Sequence, residues 1–114
     1  QAYGIEIDEF AGQIARVALW LTDHQMNMKL SQETGLHLLR LPLKAEPNVR
    51  YGVNALRTSW DEVISREELS YILGNPPFIG KGERKPEQTD DMALVFSDFK
   101  GAKKIDYVSA WYFK

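Results

Sequence analysis

The stretch that most constrains the fold comes first. In Ala2-Tyr3-Gly4-Ile5-Glu6-Ile7, the apolar side chains of Tyr3, Ile5 and Ile7 alternate, and the run passes directly into Asp8 and Glu9. Alternation with a period of two is the pattern of a strand. An aspartate just ahead of a helical stripe is an N-cap, and a carboxylate in the first turn favours the helix dipole. Phe10, Ile14, Val17, Ala18 and Leu21 then recur at i, i+4, i+7, i+8 and i+11, which predicts an amphipathic helix to about His24. Its stripe must cover a sheet or another helix.

The remaining segments repeat this alternation. Asn48–Leu56 reads as a second strand, Ser59–Ile64 as a helical turn or loop, and Leu69–Asn75 as a third strand. Thr89 is placed to cap a helix carrying Met92, Val95, Phe96 and Phe99, and Ile105–Lys114 reads as helical to its end. Between Asn27 and Pro47, Gly35 and two prolines interrupt a leucine-rich run, so this segment is expected to be an irregular insertion within one domain over residues 1–114. Strand, helix, strand, strand, helix is the order of a parallel α/β sheet.

Composition narrows the function. A chain of 114 residues supports one core, and the absence of cysteine removes disulfides, thiolate zinc sites and a cysteine nucleophile. His24 and His37 offer no metal spacing. Apolar runs fall far short of the roughly 20 residues of a spanning helix, so a cytoplasmic location is expected. With a formal net charge of −2, the chain carries no broad phosphate-binding field; its cations gather at Lys81–Lys85 and Lys100–Lys104.

In parallel α/β sheets, ligands bind outside the carboxyl ends of the strands. Glu6 and Asp8 stand at the end of the first strand, Asn54 at the second and Asn75 at the third. A strand-end carboxylate commonly accepts hydrogen bonds from ribose hydroxyls, although a strand followed by a capping aspartate needs no ligand. At the third strand Asn75 is followed by Pro76, Pro77 and Phe78. Neither proline can donate to a ladder, so the strand ends there and a stiff turn begins.

These residues resemble a known family. Asn75-Pro76-Pro77-Phe78, after Tyr71-Ile72-Leu73 and Gly74, is similar to the catalytic motif of DNA methyltransferases that modify adenine at N6. Tyr3–Asp8 with Phe10–Leu21 resembles the second motif of those enzymes, Asn54-Ala55-Leu56 with Trp60 the third, and residues 90–114 the region after the catalytic motif in large bacterial restriction-modification methylases. The resemblance implies a Rossmann-like class I methyltransferase fold with a mostly parallel sheet. It implies S-adenosylmethionine as cofactor, with Glu6, Asp8, Asn54 and Ala55 as cofactor-binding residues. It implies Asn75, Pro76, Pro77 and Phe78 as the catalytic turn acting on an adenine flipped out of DNA. Lys81, Arg84 and Lys85, close behind Phe78, are expected to meet DNA phosphates.

The chemistry suits such a turn. An exocyclic adenine amine is a poor nucleophile; the side-chain oxygen of Asn75 and the carbonyl of Pro76 can accept its two N–H bonds and favour the transition state. Phe78 offers a face on which an extruded base can stack, worth on the order of 1–3 kcal/mol. Two departures from the family pattern stand out. The glycine-rich cofactor strand is missing, and Asn54 stands where the family often has aspartate. The chain is therefore expected to be an internal segment of a larger enzyme, inactive alone, joined to other domains, and open to self-association through exposed strand edges. Methylation of protein glutamine or RNA adenine, which uses similar motifs, and a non-catalytic interaction role are the alternatives.

Overall fold

The structure is a computed structural model that describes residues 2–36 and 48–114. Strand β1 (Gly4–Glu6) enters helix α1 (Glu9–Thr34), and β2 (Val49–Tyr51) then pairs in parallel with β1. Gly4 lies opposite Val49, Ile5 opposite Arg50 and Glu6 opposite Tyr51. The parallel arrangement of these two strands is the one expected.

Asp8 caps α1 as predicted, accepting the Ala11 N–H at 2.7 Å. The helix, however, does not stop near His24. It continues through Thr34, and the Gly35 N–H closes it on the Ser31 carbonyl with φ at 70°. Residues 27–34, expected to be irregular, are thus helical; Gln25, Met26, Lys29, Leu30 and Glu33 are good helix formers without an apolar stripe. Residues 37–47 of the expected insertion lie outside the described residues.

Of the predicted stripe only Ala18 faces the sheet. Phe10, Ile14, Val17 and Leu21 are exposed. Contact with the sheet is made through Gly12, buried under Tyr51, while Ala15, Ala18 and Leu19 line a groove with Tyr3–Glu6 and Val49. Small residues allow the backbones to approach, with Leu19 beside them, while the larger residues of the predicted stripe face away.

After β2, Gly52 turns the chain with φ at 71°, and the Val53 N–H reaches the Glu6 carbonyl at 3.3 Å. A 3₁₀ turn at Trp60–Glu62 follows, matching the expected helical turn and held by Arg50, whose guanidinium donates to the Glu62 carboxylate and carbonyl. The third strand does not form. Residues 69–80 take no regular structure, and Tyr71 and Leu73 are 86% and 95% exposed. A strand needs a hydrogen-bonding neighbour, and among the described residues the sheet has only two strands. Strand-like composition reports fit to a pleated surface, which this segment lacks. Residues 69–75 therefore do not close against β1.

Helix α2 (Pro86–Val95) starts ahead of the expected cap. Pro86 occupies its first turn and the Gln88 side chain accepts the Lys85 N–H, whereas Thr89 lies inside the helix and bonds back to the Lys85 carbonyl. Phe96 ends it and Phe99 lies beyond. The carboxyl-terminal segment is helical only in part: a 3₁₀ turn at Tyr107–Ser109 leads into the short α3 (Ala110–Phe113). Leu56, Met92, Phe96, Tyr107 and Ala110 form a second buried cluster, with Ile79, Val95, Ile105 and Trp111 packed around it.

Candidate active site

At the carboxyl end of β1, Glu6 is half-buried and its Oε1 accepts the Asp8 N–H at 3.0 Å. That bond orients the carboxylate, and among the described residues Oε2 has no hydrogen-bond partner. Asp8 has its Oδ1 committed to the α1 cap. The Gly52 turn seals the same strand end: a side chain there would put Cβ 3.2 Å from the Glu9 carboxylate, in a backbone region that L-residues rarely adopt.

Asn54, two residues past that turn, belongs to a buried network absent from the sequence reading. Its Oδ1 accepts the Leu56 N–H and its Nδ2 donates to Asp91 Oδ2, both at 2.9 Å. Asp91, on α2 and 2% exposed, also receives Arg57 Nε at 2.5 Å and the Tyr107 hydroxyl at 2.7 Å. Burial pushes the Asp91 carboxyl up, but the hydrogen bonds from Tyr107, Arg57 and Asn54 outweigh it and hold it below the usual carboxylate range. Burial and the bond to Asp91 in turn push the Tyr107 phenol well up. The Asn54 amide keeps one N–H and one lone pair beyond these contacts. The Ala55 carbonyl beside it accepts Trp60 Nε1 at 2.9 Å.

Asn75, Pro76, Pro77 and Phe78 lie on the exposed segment. Among the described residues the Asn75 amide has no hydrogen-bond partner, and the Phe78 ring is 78% exposed. The segment is anchored immediately afterwards, where the Ile79 carbonyl accepts the Tyr107 N–H at 3.4 Å and Ile79 packs on the buried cluster. Of the three cations behind it, Lys81 and Lys85 are exposed. Arg84 instead turns inward to the Ile105 carbonyl, with its Nε buried and unpaired. Glu6 and Asp8 thus meet at one strand end, while Asn54 and the Asn75 segment are joined through the second cluster. Asp91, Arg57 and Tyr107 were missed; a carboxylate at Asp91, one turn before Val95 and next to Met92 on the apolar side of α2, was the available signal.

Over residues 1–114 the chain matches the family model described as MmeI, DNA-methyltransferase domain. It belongs to that family. It is 39% identical, over 117 aligned residues, to DNA methyltransferase A of Bacillus subtilis (strain 168), with 99% of this chain and 13% of that protein covered. A solved structure of the Type IIL restriction-modification enzyme MmeI in complex with DNA matches 97% of the chain at 50% identity and a TM-score of 0.83. The chain spans 15% of that MmeI chain. The partial Rossmann-like arrangement of β1, α1 and β2 is therefore that of an MmeI-type methyltransferase domain.

Proposed function

We propose that this chain is part of a longer S-adenosylmethionine-dependent methyltransferase that methylates the N6 amine of adenine in DNA within a restriction-modification system. The observation that carries the reading is the Asn75–Phe78 turn, where a stiff backbone holds an unbonded amide beside an exposed ring. Membership of the MmeI methyltransferase family supports it, as does the identity with one relative named a DNA methyltransferase and one named a restriction-modification enzyme.

The residues present fit the cofactor. Glu6 offers an acceptor-only carboxylate, oriented by the Asp8 N–H, to ribose hydroxyls; Asn54 has one N–H and one lone pair left for an adenine edge, beside Ala55. S-adenosylmethionine, when bound, supplies an electrophilic methyl group on a sulfonium. Asn75 Oδ1 and the Pro76 carbonyl accept the two N–H bonds of the target amine, drawing it toward the pyramidal geometry of the transition state and easing loss of its proton. Pro77 keeps that carbonyl in place, and Phe78 stacks on the extruded base. The exposed Lys81 and Lys85 meet neighbouring phosphates, while Arg84 secures their segment to Ile105.

The test is transfer of labelled methyl groups by the full-length protein to duplex DNA, RNA and protein offered in parallel, followed by nucleoside and amino-acid analysis. Label in N6-methyladenine, lost in Asn75→Ala, is the expected result. Label confined to cytosine, RNA or protein glutamine would overturn the reading.

A further inference from the structure

We propose that Asp91 and Tyr107 are positioning residues, which hold the acceptor turn Asn75–Phe78 in fixed relation to the Asn54 loop. The inference rests on the reading of Asn75 as an acceptor for the target amine. It starts from a cost: a carboxylate that is 2% exposed loses its hydration, a loss that an apolar residue of similar volume would not incur. The charge is compensated by three donors drawn from two separate parts of the chain. Asn54 and Arg57 come from the loop after β2, and Tyr107 comes from the carboxyl-terminal segment.

Tyr107 then reaches the acceptor turn through its backbone. Its N–H meets the Ile79 carbonyl, and two residues earlier the Ile105 carbonyl takes the Arg84 guanidinium, so the tail grips the segment 79–84 at both ends. From the Asn54 amide to the residue after Phe78 the connection is hydrogen bonds through Asp91 and the body of Tyr107. Little else fixes the turn, because Tyr71, Ile72, Leu73 and Phe78 are all exposed. Catalysis of the proposed kind tolerates little misplacement between cofactor and acceptor groups, since a shift of about 1 Å can cost on the order of 10² in rate.

The experiment is a double-mutant cycle in the full-length protein, with single-turnover methylation of duplex DNA measured per folded molecule. Tyr107→Phe keeps the ring and its edge-on contact with Trp111, 5.0 Å between centroids, and removes only the hydroxyl. We expect it to slow methyl transfer at least about tenfold, and to slow the Asn75→Ala variant by less than about twofold, because its effect passes through Asn75. A general loss of structure would slow both backgrounds by the same factor. Equal factors, or no loss in the parental background, overturn the positioning role and leave the proposed function standing. Undiminished turnover in Asn75→Ala alone would overturn the proposed function and this inference with it. Should Tyr107→Phe fail to fold, Asp91→Asn, measured per folded molecule, gives the same comparison, since it alters the one oxygen, Oδ2, on which the bonds from Asn54 and Tyr107 meet.

Discussion

Replacing Gly12 by alanine tests whether the small-residue face of α1, and not its larger apolar stripe, seats the helix on the sheet. In the middle of a helix, Gly→Ala ordinarily stabilises by about 1 kcal/mol. Here the new methyl carbon would stand 2.2 Å from Tyr51 Cβ and 3.0 Å from Cγ. Carbon contacts are comfortable at about 3.5–4.0 Å, so α1 must lift from β2, or Tyr51 must move, by more than about 1 Å. Overpacking of this kind costs about 1–3 kcal/mol. Moving Tyr51 also gives up the Arg16 hydrogen bond to its hydroxyl at 3.2 Å and the guanidinium over its ring at 5.5 Å, together worth about 1–2 kcal/mol. After the helix-propensity gain, we expect a net destabilisation of about 1–4 kcal/mol, read as faster hydrogen exchange at the β1 and β2 amides of the full-length protein. Cofactor affinity should fall in parallel, because Glu6 ends the strand that pairs with Tyr51. Gln13→Ala, on the exposed side of the same turn, should change exchange little. Protection equal to or greater than parental in Gly12→Ala would refute the packing argument.

Other outcomes follow from the same geometry. Asp91→Asn keeps the shape but leaves three donors facing one acceptor oxygen, and should destabilise by about 3–5 kcal/mol. Because the folded-state pKa of Asp91 lies below its ordinary value of 3.8, the stabilisation is complete above that pH and is lost as pH falls through the folded value; urea midpoints of parent and variant should converge only below about pH 4. Asn75→Ala should lower single-turnover methylation by about 10² to 10³ while leaving the melting temperature and the affinities for S-adenosylmethionine and DNA close to parental. Lys81→Ala with Lys85→Ala should flatten the slope of log DNA affinity against log salt by about 2, equally for all sequences, as titrations across a salt series would register.

The local signals in the sequence were dependable where the interaction itself was local. Asp8 capping α1 and the run from Tyr3 to Glu6 could be read because cap, first turn and strand lie within a few residues. The face of α1 was misjudged because periodicity weighs Phe10, Ile14, Val17 and Leu21 by size, whereas close approach to Tyr51 required the smallest residue, Gly12. Residues 69–75 have a strand's composition without a neighbour to complete a strand. Asn54 was legible as a strand-end polar group, but its partner Asp91 lies 37 residues away, and no spacing rule joins the two. Arg84, grouped by charge with Lys81 and Lys85, is drawn inward by the Ile105 carbonyl, 21 residues on.

The order of the acceptor turn comes from covalent stiffness and one anchor, and the alternative would defeat the proposed chemistry. Each proline fixes its own φ, and each also bars the residue before it from the helical region, so Asn75, Pro76 and Pro77 are all restricted before any contact is made. Loops usually gain comparable order by burying a large side chain, and Phe78 is the obvious candidate. A buried Phe78, however, would be lost as a surface for a stacked base, and burial of the Asn75 amide would demand protein partners for the lone pair the target amine needs. Stiff backbone dihedrals, with Ile79 tied to Tyr107 just downstream, order the turn while leaving ring and amide exposed. The anchor residue Tyr107 bonds through its hydroxyl to Asp91, which also holds Asn54, so in the proposed site these hydrogen bonds would restrain both sides while leaving the Asn75 amide and the Phe78 ring open and sparing one N–H and one lone pair of Asn54.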